Sequence, residues 1–276
     1  MFLVPWYASL CAAQGALVAA PSGGRRSGRR HALLGLAAPA AAMAVGVGAI
    51  RLFSSGADVL TWLGTIGTPI AAAALGWAAR WRLPLLTVPV AAVLYAVAWQ
   101  GSGRVAETAG MLLIGGACLA IAALVAPLVP ARHLAIGLVL LVALDTYLVW
   151  GYRQVEPVTV ALQHVHLPHV GVAHHSRPLP ALQQVTLGNS SMGWLDFLAP
   201  ALLGALLGRR LGWRLGAALV MAVTALMWGL MLYLTSPIPA TVPILPTLAL
   251  TWQLWWPRGP AEPQPTAASA AARAPG

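Results

Sequence analysis

The chain has 276 residues, of which 59% are hydrophobic and only 8% charged, whereas a soluble surface needs roughly 25% charged residues. That excludes a water-soluble globular domain and predicts an all-α polytopic membrane protein living in a lipid bilayer. The net charge of +10 comes from sixteen arginines with no lysine, scattered between apolar runs, so it is a topology signal and not a nucleic-acid surface.

A helix needs about 20 apolar residues to cross roughly 30 Å of hydrocarbon. Nine stretches are predicted to do so: 2–20, 32–50, 57–79, 83–99, 109–130, 133–152, 192–208, 213–235 and 239–256. The first lacks a basic leader and is followed by Arg25, Arg26, Arg29 and Arg30, the order of a retained helix with its N-terminus outside. Cys11 in that stretch and Cys118 in the fifth lie in apolar runs, where they form neither a disulfide framework nor a zinc site. Only Arg80-Trp81-Arg82-Leu83 separates the third and fourth stretches, which predicts a tight hairpin. Nine alternating spans place twelve arginines inside and four outside. That bias predicts a plasma-membrane protein with its C-terminus in the cytoplasm. Residues 1–256 then form the transmembrane domain, and the Pro/Ala-rich 257–276 form a disordered cytoplasmic tail.

Residues 153–191 read as a long external loop. His164, His166, His169, His174 and His175 fall there within twelve residues. Imidazoles at His164, His166 and His169 are weak candidates for binding zinc or copper. No carboxylate or cysteine supports them, so the expectation is no metal.

Asp145 and Asp196 are carboxylates inside predicted spans, where such groups are expensive and usually functional. Either could instead be structural: Asp196 as a helix cap after Gly193, Asp145 as a polar packing contact. Asp145 follows Arg132 by 13 residues and Asp196 precedes Arg209 by 13, so both lie about 20 Å from the inner boundary. Consecutive antiparallel helices usually pack side by side. Two carboxylates at one depth on such helices can share one proton and activate water, without metal or organic cofactor. Four prolines at 237, 239, 243 and 246 deny the start of the last stretch a regular helix. Broken backbone survives in a membrane only against protein or a wet cavity. Pro243 and Pro246 are expected to form part of the site wall.

Taken together, these residues resemble the intramembrane aspartyl proteases of the presenilin and signal peptide peptidase type. That family has nine spans, with a catalytic Asp in the sixth and another in the seventh. Its Tyr-Asp motif corresponds to Leu144-Asp145, its Gly-x-Gly-Asp to Gly193-Trp194-Leu195-Asp196, and its Pro-Ala-Leu to Pro243-Ile244-Leu245, followed by Pro246. The likeness covers about 133–256. It departs at Leu144, Leu195 and Ile244, where the family has Tyr, a small residue and Ala. The resemblance implies a presenilin-like helix arrangement. It also implies an endopeptidase with Asp145 and Asp196 catalytic and Gly193, Leu195, Pro243, Ile244, Leu245 and Pro246 binding substrate. Its partners would be single-span membrane proteins or remnant signal peptides. The alternatives are a proton- or cation-coupled transporter using the same aspartates, or a noncatalytic membrane assembly protein.

Overall fold

A computed structural model describes residues 4–20, 41–45, 47–49, 52, 56–81, 84–151, 169–170, 177–188, 190–208, 211–231 and 239–255. The chain is mostly helical. The long helices are α1 (Val4–Ala19), α2 (Gly56–Ala73), α3 (Thr87–Gln100), α4 (Gly103–Val125), α5 (Ala131–Thr146), α6 (Trp194–Leu207), α7 (Leu211–Met231) and α8 (Ile244–Trp255). Among the described residues, three helical segments are long and apolar enough to cross a membrane: Gly103–Val125, Ala131–Gly151 and Gly212–Met231. Of the predicted second stretch, 41–45 and 47–49 are described and helical. The predicted tail lies outside the described residues.

Helix α6 is the hub. Every residue from Phe197 to Leu207 is buried, as expected for a helix apolar on all sides. It is packed among α1, α4, α5 and α8. Its 14 residues span only about 21 Å, short of a bilayer core, but neighbouring helices surround it. The predicted span at 192–208 therefore starts late, because the chain just before it is extended.

That extended chain corrects the all-α expectation. Strands β3 (Gln184–Leu187) and β4 (Ser190–Gly193) form an antiparallel hairpin in which Leu187 pairs with Ser190. Two residues, Gly188 and Asn189, join them, and Gly188 has φ +59°, the left-handed conformation such tight turns require. Strand alternation then puts Val185 and Leu187 in the core, with Leu182 and Met192 beside them. The hairpin is not a surface loop: Gln183 lies against Gly64 of α2, and Leu182 reaches Gly110 of α4. A second pair, β1 (His169–Val170) with β2 (Arg177–Pro178), is also antiparallel.

Two further boundaries differ from expectation. Helix α4 starts at Gly103, not 109, and so takes Arg104 and Glu107 into its first turns. Both find partners there: the Arg104 guanidinium lies 4.3 Å over the Trp6 ring, and Glu107 accepts the Gly188 N–H at 2.8 Å. The predicted third span breaks after α2 into a helical turn, Leu75–Ala78, before a 3-10 turn at Pro84–Leu86. Thr87 knots this corner by donating to the carbonyls of Ala73 (2.6 Å) and Pro84 (2.8 Å).

Contacts fix the relative direction of several helices. Gln14 meets Asp196 and Val18 meets Gly204, so α1 and α6 are parallel. Tyr7 meets Ala225 and Gly15 meets Ala218, so α7 runs against α1. Arg214, buried at the start of α7, donates to the carbonyls of Val18 and Ala19 at the end of α1. A cation there satisfies orphan carbonyls and complements the helix dipole.

Candidate active site

Asp145 sits in the last turn of α5 and is 7% exposed. The helix changes character directly after it: Tyr147–Gly151 form a π-helical turn, a feature frequent at functional sites. Thr241 approaches from the irregular stretch that precedes α8. Its hydroxyl donates to Asp145 Oδ2 at 2.6 Å and its backbone N–H to the same oxygen at 3.3 Å. The stretch itself is anchored from α7, where Trp228 Nε1–H donates to the Pro239 carbonyl at 3.1 Å.

Asp196 occupies the third position of α6. Its Oδ2 accepts the Gly193 N–H at 2.9 Å, one half of a helix-capping arrangement. The capping alternative for Asp196 is thus realised in part. The same carboxyl also lies within electrostatic reach of Asp145. Helices α5, α6 and α8 pack against one another, and Thr241 joins the segment before α8 to the end of α5.

The backbone of Asp196 has an unusual partner. Pro200 lies inside α6, and proline has no N–H to give the carbonyl four residues earlier. That carbonyl is Asp196's. Gln14, fully buried on α1, fills the gap by donating Nε2–H to Asp196 O at 3.0 Å. Its Oε1 is a buried acceptor without a partner among the described residues. One turn back along α1 comes Cys11, and one more turn back Tyr7, whose hydroxyl donates to the Ala225 carbonyl of α7 at 3.1 Å. Cys118 of α4 points its thiol at the Trp194 carbonyl, 3.8 Å away. Polar groups from α1, α4, α5 and the pre-α8 segment thus gather around the first turn of α6.

The predicted substrate-binding residues separate. Gly193 is exposed and adopts an extended conformation at the head of α6, and Leu195 is half-buried beside it. Pro243 and Ile244 are buried. Leu245 and Pro246 are exposed, so the run does not line one wall as expected. The reason is helical: α8 already begins at Ile244, and proline is tolerated in a first turn. The buried face of α8 is Ile244, Thr247, Leu248 and Thr251, and its neighbours face outward. Irregular backbone ends at Pro243, and Thr241 faces Asp145.

His164 and His166 lie outside the described residues, and of His169 only the backbone is described. Among the described residues, no group of three His, Cys, Asp or Glu side chains could hold a metal. Comparison with family models, curated proteins and solved structures finds no match for this chain. The residues that sequence reasoning missed are Thr241, Gln14 and Tyr7. Gln14 carried a signal, an amide alone in an apolar run with a helix-internal proline elsewhere to compensate.

Proposed function

We propose that the protein is an intramembrane aspartyl endopeptidase of the presenilin type, with nine spans, its N-terminus outside and its C-terminus cytoplasmic. The observation that carries this reading is that Asp145 at the end of α5 and Asp196 at the start of α6 stand on helices that pack against each other and against α8, with the nonhelical segment before α8 holding Asp145 through Thr241. The helix directions support the span count, since the predicted first and seventh spans run parallel and the eighth runs against them.

The chemistry needs no cofactor. One carboxylate takes a proton from water as the water oxygen bonds to the scissile carbonyl carbon. The other carboxyl gives its proton to the carbonyl oxygen, forming a gem-diol. On collapse the C–N bond breaks and the first carboxyl protonates the departing amine. A gem-diol hydroxyl returns a proton to the second, regenerating the starting state. A helical substrate must unwind first, and its freed backbone then needs partners. Strand β4 has one strand partner, β3, among the described residues, and ends at Gly193, three residues from Asp196. Its other edge is suited to receive an extended peptide.

The test is reconstitution of the full chain with single-span substrates of both orientations, mapping products by mass. Cleavage lost in both Asp145→Asn and Asp196→Asn supports the reading. No cleavage of any substrate, together with proton or solute flux lost in either variant, would replace it with the transporter. Orientation is tested separately with an impermeant thiol reagent on intact cells. Labelling of Gln163→Cys but not Arg26→Cys is expected, and the reverse pattern would invert the topology.

A further inference from the structure

The two carboxyls are held differently. Asp145 Oδ2 receives two donors from Thr241, one of them a backbone N–H that can only donate. Asp196 receives one among the described residues, from Gly193 N–H. Donors converging on one carboxylate oxygen favour its ionised form, and charge-assisted bonds are the strong ones. Thr241 is itself fixed. It is 1% exposed, its backbone carbonyl accepts the Ile244 N–H at 3.0 Å, and Trp228 anchors the stretch two residues before it.

We propose that Thr241 is a positioning residue that holds Asp145 as the carboxylate of the pair and leaves the shared proton on Asp196. Asp145 then takes the proton from the attacking water, and Asp196 delivers its proton to the carbonyl oxygen. This assignment rests on the dyad reading above, and it makes the pair unequal before substrate arrives. Among the described residues, the titratable groups facing Asp145 are few. Asp196 comes from α6, and Tyr7 from α1, which packs against α6. Tyr147 follows on the π turn. Residues 239–255 carry no Asp, Glu, His, Cys, Tyr, Lys or Arg. Arg132 and His133 lie at the far end of α5, about 20 Å away.

The chain has three aspartates, Asp58, Asp145 and Asp196, so ¹³C-carboxyl labelling of aspartate gives three signals. Asp→Asn variants assign them in the full-length protein in lipid nanodiscs. At neutral pH the Asp145 signal is expected at the carboxylate position and the Asp196 signal at the protonated one. Thr241→Val keeps the shape and removes the hydroxyl. It should move the ratio of the two protonation arrangements about tenfold toward protonated Asp145. Thr241→Ser should restore it. Thr241→Ala serves if the valine variant does not fold. Signals unchanged in Thr241→Val and Thr241→Ala, or a protonated Asp145 in the wild type, would overturn the assignment. These spectra do not depend on turnover, so loss of the protease reading would show separately, as absent cleavage with the spectra intact. Where cleavage is measured, Thr241→Val should lower kcat about tenfold at constant KM, and Thr241→Ser should recover it. A KM effect without a change in kcat would count against the proposal.

Discussion

At its first turn α6 is tied to other elements through polar groups: the Gly193 N–H on Asp196, the Gln14 amide on the Asp196 carbonyl, the Cys118 thiol near the Trp194 carbonyl. Eight residues beyond Asp196, the same helix lies close against its neighbour's backbone. A Cβ on Gly204 would stand 2.7 Å from the Val18 carbonyl oxygen and 2.9 Å from that of Leu17. One end is a polar junction that chemistry can use, and the other is a close-packed seam that holds the junction still. Both ends lean on α1, so α1 serves the site as well as the core.

The largest effect should come from the polar end. Asp145→Asn and Asp196→Asn are each expected to lower turnover by at least about a thousandfold while the fold persists. The double variant should be no worse than either single one, because the two groups share one task. Rate against pH should be bell-shaped. Activity falls at low pH as both carboxyls become protonated and at high pH as both ionise, and the two limbs belong to the pair. Independent, multiplicative losses would break the dyad.

The seam is tested by Gly204→Val. The obstructing atoms are backbone oxygens that cannot swing aside, so a loss of about 3 kcal/mol is expected, read by thermal unfolding in detergent. Gly208→Ala is the control for space, since no atom lies within 4 Å of that position, but its φ of +66° adds local strain. Equal losses in the two would point to backbone conformation and not to the α1 seam.

Much of the helical frame was legible, because long apolar runs in a chain this poor in charge have few other uses. The equal spacing of Asp145 and Asp196 to Arg132 and Arg209 singled out the two helices, α5 and α6, that the structure packs together. The hairpin was not read, although Gly188-Asn189 between Gln-Val-Thr-Leu and Ser-Ser-Met-Gly is a two-residue turn signal. The histidines nearby drew the segment toward a loop. Thr241 was illegible for a stronger reason. Its partner is 96 residues away, and a threonine among prolines has no pattern of its own. Leu245 and Pro246 were misplaced because proline counts mark where a helix is disfavoured, not which turn of it they occupy.

Gln14 links the two ends of the comparison and gives a cycle. Gln14→Leu leaves the Asp196 carbonyl buried without a donor, an expected loss of about 1–3 kcal/mol. Pro200→Ala supplies the missing N–H within α6. In that background Gln14→Leu should cost clearly less, and the difference is the coupling. Additive losses would mean that the Gln14 amide serves something other than the carbonyl that Pro200 leaves open.

The smallest effect belongs to the hairpin tip. Glu107 takes the Gly188 N–H on an exposed carboxylate, and the Trp6 side chain comes within 3.0 Å of a Cβ placed on Gly188. The bond is charge-assisted but open to water, so Glu107→Ala should cost only about 0.5–1.5 kcal/mol. The loss should be local. Hydrogen exchange at the Gly188 amide should quicken while exchange within α6 stays unchanged, because Gln14 and Gly204 hold α6 against α1 independently of the hairpin turn. If β4 receives substrate, loosening its turn should raise KM and leave kcat nearly untouched, since the carboxyls and their donors have not moved. A fall in kcat of the size seen for Thr241→Val would mean that the hairpin and the dyad are one mechanical unit, and the division between a polar end and a packed end of α6 would have to be redrawn to include β3 and β4.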